Sequence, residues 1–259
     1  WRRIKSRARI ELAKTDFSNE QICAHRGASG AYPENTHVAF DAAASVGAGW
    51  IETDIQCLAD QELAIFHDTH LGRTAPGSAK VTSLSWPDMA ELDVGSWKGG
   101  AFALERPLRC EDLIAWQAEA SDRPGIVWEV KCEDEPEAAA AAAAAVTRRL
   151  RDAGDDRCIV SSFSRDVLVA LRPQLPAIPM ALIAEALPED GVAFCQEHGL
   201  EGVHLDGYQV THDSARTVLD AGLALRCYTI NDMNDAERLV ALGVSMIMTD
   251  FPERFLARD

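Results

Sequence analysis

The sequence predicts a (β/α)8 barrel of the TIM type, with a β-hairpin excursion after the second barrel strand. Three observations lead there. From Gln21 onward, short apolar runs alternate with helical patterns, as in a parallel sheet with helical crossovers. Gly47, Gly154, Gly199, Gly222 and Gly243 each follow a helical pattern, where helices end on a left-handed residue. One pair of apolar runs has only Asp60 and Gln61 between its members. A parallel crossover takes roughly a dozen residues or more, so that pair is an antiparallel hairpin.

The expected strands are Ile22–Ala24, Trp50–Ile55, Leu63–Phe66, Ile126–Val130, Cys158–Ser161, Met180–Ile183, Gly202–Leu205, Leu225–Ile230 and Met246–Thr249. The expected helices are Thr36–Val46, Glu111–Ala120, Glu135–Ala153, Arg165–Arg172, Glu189–His198, Ser214–Ala221 and Asn234–Leu242. The alanine run Ala138–Ala145 reads as helix, with acids ahead of it and Arg148, Arg149 and Arg151 behind, matching the helix dipole. Setting aside the hairpin's return strand, Leu63–Phe66, leaves the strand count of a (β/α)8 barrel. A turn centred near Asp60 and Gln61 pairs residues whose numbers sum to about 121, which sets His67 opposite Asp54. Asp88–Glu105, with Gly95, Gly99 and Gly100, reads as a loop covering part of the barrel mouth.

At 259 residues the chain can bury one large core, and its 47% hydrophobic content is ordinary for a globular protein. No run of about 18 apolar residues occurs, so no transmembrane segment is expected. A formal net charge of −16 excludes non-specific nucleic-acid binding, which needs clustered cations. The seven cysteines are scattered without a Cys-x-x-Cys pair, which implies buried, reduced thiols and a cytoplasmic location rather than a zinc site. Residues 1–20 form a basic extension (Arg2, Arg3, Lys5, Arg7, Arg9 and Lys14), and 21–259 form the barrel domain. The extension reads as a solvated helix, with peripheral contact to an anionic membrane as the alternative.

Barrel active sites gather at the C-terminal ends of the strands. His25 and Arg26 end the first strand, Glu52 and Asp54 the second, Glu129 and Lys131 the third. Residues two apart on a strand share a face, so Glu52 and Asp54 project together, as do Glu129 and Lys131. Three carboxylates from adjacent strands suit one hard cation, Mg²⁺ or Ca²⁺, with positions left for phosphate oxygens. Arg26 and Lys131 supply charge for the phosphate. His25 and His67 are placed to remove and return protons in an in-line displacement. His37, His70, His198 and His212 lie in helix or loop contexts and read as structural, whereas His204 and Asp250 end strands on the active rim and stay open.

These residues sit in runs that resemble the glycerophosphodiester phosphodiesterase family: HRGASGAYPENT at His25–Thr36, IETD at Ile51–Asp54, HD at His67–Asp68, RT at Arg73–Thr74 and EVK at Glu129–Lys131. Further echoes are DVGSW at Asp93–Trp97, SSF at Ser161–Phe163, YTIN at Tyr228–Asn231 and TD at Thr249–Asp250. The resemblance implies a barrel that hydrolyses glycerophosphodiesters to sn-glycerol 3-phosphate and an alcohol. It gives Glu52, Asp54 and Glu129 one divalent cation, His25 and His67 general acid–base roles, and Arg26 and Lys131 the phosphate. It further implies attack by the glycerol 2-hydroxyl to give a cyclic phosphate, later opened by water. The chain departs from the family at Gln61, where glutamine replaces the glycine of the usual Asp-Gly turn, and at His37, where the family usually has an apolar residue. No long insertion is expected between His67 and Glu129, which favours small, water-soluble substrates at an open site. The alternative is phospholipase-D-like activity on lysophospholipids, which a wide apolar rim from Trp86, Trp97, Phe102 and Trp116 would serve. A catalytically silent binding module does not account for both histidines and all three acids.

Overall fold

The computed structural model describes residues 17–119, 122–132, 136–150 and 157–256. Alternation starts the barrel. In β1 (Ile22–His25), Ile22 and Ala24 join the core beneath the helices, while Cys23 faces the barrel interior. The ring continues through β2 (Trp50–Cys57). β3 (Leu63–Ile65) returns as a hairpin on β2, β4 (Leu108–Arg109) pairs with β3, and the ring resumes with β5 (Gly125–Lys131), β6 (Cys158–Ser162), β7 (Met180–Ala184), β8 (Gly202–Asp206), β9 (Ala224–Tyr228) and β10 (Met246–Thr249). Parallel pairing of β10 with β1, Ile22 against Ile247, closes the ring. The ring thus has eight strands, β1, β2 and β5 to β10, with β3 and β4 outside it.

The crossover helices are α1 (His37–Ser45), then a short α2 (Trp86–Met89), α3 (Cys110–Ala118), α4 (Pro136–Leu150), α5 (Arg165–Leu171), α6 (Gly191–Glu197), α7 (His212–Asp220) and α8 (Met233–Ala241). All seven helices expected from the sequence are present, and α2 and β4 are additional. Side-chain caps start several of them: Thr36 accepts from the Ala39 N–H, Ser164 from Val167, and Asp232 from Asn234 and Asp235. Gly47, Gly199, Gly222 and Gly243 take positive φ, as helix-ending glycines should; Gly154 lies outside the described residues. After β10 the chain makes a 3₁₀ turn at Pro252–Arg254.

Two apolar layers hold the barrel. Outward residues such as Ile51, Ile126, Trp128, Val160, Leu182, Leu225 and Ile247 pack under the helices, and Cys23, Val127, Ile159, Met246 and Met248 fill the interior. Each fully buried large side chain contributes roughly 1.5–3 kcal/mol of hydrophobic stabilisation. Cys57 and Cys132 are half-buried and the other five cysteines are buried. Phe17 packs edge-on against Phe255 (centroids 5.7 Å apart), so the chain joins the barrel before Gln21. The basic residues of the expected extension lie outside the described residues.

Two expectations need correction. The hairpin register is Ile55 to Ile65 and Cys57 to Leu63, so Phe66 rather than His67 lies opposite Asp54, and the Phe66 N–H donates to the Asp54 carbonyl (3.0 Å). The cause is Gln61, which takes φ 65° and makes a three-residue loop between Leu58 and Glu62. The expectation of no long insertion between His67 and Glu129 fails as well: residues 66–107 separate β3 from β4, and the expected loop Asp88–Glu105 is one part of that insertion. With Leu58 and Ala64 of the hairpin, Phe66, Ala75, Val81, Met89 and Val94 form a separate small core beside the mouth.

Candidate active site

β2 has two neighbours on one edge. Its first half pairs with β1, its second half with β3, and β5 runs along the other side throughout. Thr53 and Asp54 sit where that edge divides, at the C-terminal mouth. The chain leaving β1 turns sharply there, with Arg26 at φ 57° and Gly27 at φ 78°. This turn brings the Arg26 N–H to the Glu52 carbonyl (2.8 Å) and to Glu52 Oε2 (3.2 Å). A Cβ on Gly27 would lie 2.6 Å from the Ala39 carbonyl carbon. Gly27→Ala is therefore expected to cost about 2 kcal/mol or more, counting the left-handed φ and the clash. Thermal unfolding should register a Tm lower by about 4–8 °C.

Glu52, Asp54 and Glu129 bring carboxylate oxygens within 4.8 Å of one another, all buried. Glu52 Oε1 and Asp54 Oδ1 are buried and accept no hydrogen bond. The Lys131 ammonium donates to Glu129 Oε1 (2.6 Å) and lies 3.4 Å from Asp54 Oδ1. Burial and the neighbouring acids push the Glu52 and Glu129 carboxyls up. Burial would raise Asp54 as well, but Arg26 and Lys131 hold it well below the usual carboxylate range. Three crowded carboxylates with hard oxygen donors fit a divalent cation. Arg26 Nε lies 3.1 Å from Asp54, and its Nη1 2.8 Å from Glu34.

The two histidines border the same 210 Å³ cavity, together with Arg26, Glu52, Glu129 and Lys131. His25 Nδ1 is 2.7 Å from Asp250 Oδ1, and Asp250 is held in turn by Ser29 (3.0 Å) and Asn231 (2.8 Å). Burial raises the Asp250 carboxyl, but the hydrogen bond and charge of His25, with Asn231 and Ser29, bring it down to about 2. His67 Nδ1 is 2.8 Å from Asp68, whose oxygens Arg73 grips at 2.8 Å each while its other nitrogens reach Glu34 at 2.7 Å. Gln56, on the same face of β2 as the acids, donates to the Phe66 and Asp68 carbonyls and so places His67 despite the shifted register. Burial, Arg26 and Lys131 together pull the His67 imidazole below its ordinary range.

All seven site residues expected from the sequence therefore meet at one mouth. Sequence reasoning left Asp250 open and gave no roles to Glu34, Asn35, Gln56 or Arg73. Asn35 donates to Asp54 Oδ2 (2.9 Å) and accepts from Thr53 (2.8 Å). His204 is buried among apolar neighbours 3.5 Å from Arg226, and burial with that guanidinium drives its pKa well below normal. The aromatic rim that the lysophospholipid alternative calls for is not formed. Trp116 is buried against Phe40 under the helices, Trp86 lies beneath Arg109, Phe102 packs on Tyr32, and Trp97 alone of the four is exposed.

A closed parallel barrel with paired acids, histidines and cations at its C-terminal mouth defines a phosphoric diester hydrolase. The sequence pattern of the glycerophosphoryl diester phosphodiesterase family matches residues 25–254, and the chain belongs to that family. It is 29% identical over 248 residues to a glycerophosphodiester phosphodiesterase of Bacillus subtilis, covering 90% of this chain and 84% of that protein. Among solved structures it resembles a phosphodiesterase of Oleispira antarctica in complex with the product sn-glycerol-3-phosphate. That likeness has a TM-score of 0.85 and 27% identity, over 91% of this chain and 94% of that one. A glycerophosphodiester phosphodiesterase of Agrobacterium tumefaciens gives a TM-score of 0.75 at 26% identity, over 91% and 98% of the two chains. No helix among the described residues is long and apolar enough to cross a membrane.

Proposed function

We propose that this enzyme is a metal-dependent hydrolase of small glycerophosphodiesters such as glycerophosphocholine and glycerophosphoethanolamine, releasing sn-glycerol 3-phosphate and the head-group alcohol. The observation that carries this reading is the arrangement of three buried carboxylates, their oxygens within 4.8 Å of one another, beside two carboxylate-backed histidines on one small cavity. Residues 21–259 would be the catalytic domain. Glu52, Asp54 and Glu129 hold the cation, which when bound polarises a phosphate oxygen and offsets the charge that grows in displacement.

The chain's own groups do the rest. Arg26 and Lys131 set positive charge over the phosphate from either side of Asp54. Asp68 and Asp250 each engage Nδ1 of their histidine, leaving Nε2 to exchange protons in the cavity. His67, kept neutral by burial and the nearby cations, takes the proton of the attacking oxygen, and His25 returns one to the departing alcohol. The relative from Oleispira antarctica with bound sn-glycerol-3-phosphate supports the product assignment.

A coupled glycerol 3-phosphate assay on glycerophosphocholine and glycerophosphoethanolamine, with choline release measured on lysophosphatidylcholine, tests the substrate class. Release from the first two, at rates well above lysophosphatidylcholine cleavage, is expected. Choline release from lysophosphatidylcholine without glycerol 3-phosphate formation from the others would rule this reading out.

A further inference from the structure

Buried hydroxyls in folded proteins are nearly always hydrogen-bonded, because an unbonded one gives up its contacts with water for nothing. Ser161 on β6 departs from this rule. Its side chain is 1% exposed, and its Oγ has no hydrogen-bond partner. The next residue shows how a structural hydroxyl is used here: Ser162 Oγ donates to the Val130 carbonyl (2.7 Å) and accepts from the Ser164 N–H (3.0 Å). Ser161 points the other way, into the cavity that carries the histidines and acids. It is in register with Glu129 on the neighbouring strand.

The cavity wall has two unlike arcs. β1, β2 and β5 carry His25, Glu52, Glu129 and Lys131, where a phosphate would sit. β7, β9 and β10 contribute Ile183, Tyr228 and Met248, a largely apolar surface suited to a carbon skeleton. The Tyr228 hydroxyl is already spent on the Ala184 carbonyl (3.0 Å), and His204 is engaged by Arg226. β6 lies where the arcs meet, one strand from the acids. Ser161 thus offers a polar group with no hydrogen-bond partner in the protein, on the same cavity wall and one strand from Glu129. In glycerophosphocholine only the glycerol side has free hydroxyls. The 2-hydroxyl lies beside the phosphorus, within the histidines' reach, while the terminal one extends away from it.

We propose that Ser161 Oγ hydrogen-bonds the terminal hydroxyl of the substrate's glycerol, so that β6 selects glycerophosphodiesters from diesters of similar size. A serine hydroxyl both donates and accepts, and so matches an alcohol in either sense. The proposal rests on the glycerophosphodiester reading above and assigns a specificity residue within it.

The test compares the parent and Ser161→Ala on glycerophosphocholine and on 2-hydroxyethyl phosphocholine, which keeps the hydroxyl beside the phosphate ester but lacks the terminal CH2OH. The parent should favour glycerophosphocholine by roughly tenfold in kcat/KM, one hydrogen bond's worth, and Ser161→Ala should lose that preference. Inhibition by sn-glycerol 3-phosphate should weaken to a similar degree, inhibition by inorganic phosphate should hold, and Tm should not fall. A preference that survives Ser161→Ala, or equal losses on both substrates and both inhibitors, overturns the assignment; equal losses would tie the hydroxyl to the phosphate or the cation. A parent that releases choline from neither substrate would overturn the functional reading itself, and the role of Ser161 with it.

Discussion

His25→Ala and His67→Ala should each lower kcat for glycerophosphocholine by about 10²–10⁴-fold, the usual size of a general acid–base contribution. The geometry explains why both matter and why they differ. Each ring has a carboxylate at Nδ1, Asp250 for His25 and Asp68 for His67, which fixes its orientation and leaves Nε2 facing the cavity. The His67 side is crowded with positive charge from Arg26 and Lys131, which favours the neutral ring that can accept a proton. His25 is then left to protonate the leaving oxygen. A leaving group that needs no proton separates the roles. On a glycerophosphodiester of p-nitrophenol, His25→Ala should recover most of its lost rate, whereas His67→Ala should remain slow. Equal recovery by both variants, or by neither, would contradict this division. Circular dichroism and Tm would confirm that each protein is folded before rates are compared.

The barrel was legible because its signals are local. Alternation in β1, β2 and β5, glycine after five of the seven expected helices and a hairpin too short to cross over are all properties of neighbouring residues. The three acids were legible for the same reason, since strand alternation alone puts Glu52 beside Asp54. The hairpin register failed by one residue because it depends on whether Gln61 accepts a left-handed φ, and glutamine gives little sign of it. His67 reaches the site anyway, tethered by Gln56 rather than by strand pairing. The supporting network was illegible because its members come from separate segments. Arg73 lies in the insertion, Glu34 in the loop after β1 and Asp250 after β10, and their pairings exist only once the barrel has closed. The insertion's own core was hidden because its apolar residues, from Phe66 to Val94, follow neither a strand nor a helix period.

The largest single loss should come from removing the cation or its ligands. EDTA is expected to reduce glycerophosphocholine hydrolysis by about 10³-fold or more, with Mg²⁺ or Ca²⁺ restoring it, since a metal at developing phosphate charge supplies several kcal/mol. Glu52→Gln should be as slow and should not be restored by the same ions. The protein's electrostatics make binding visible without turnover. Glu52, Asp54 and Glu129 are crowded and buried, and burial with mutual repulsion pushes Glu52 and Glu129 up, a strain that a shared cation relieves. A ligand at about a hundredfold its Kd adds roughly 2.7 kcal/mol to folding, worth about 5–10 °C in Tm for a chain of this size. The parent should show that rise on adding the ion that restores activity, and Glu52→Gln should not. Arg26 and Lys131 already offset part of the repulsion, so the protein should remain folded in EDTA. If Glu52→Gln kept both the parent's rate and its Tm response, the cation would have to sit elsewhere than among these three acids.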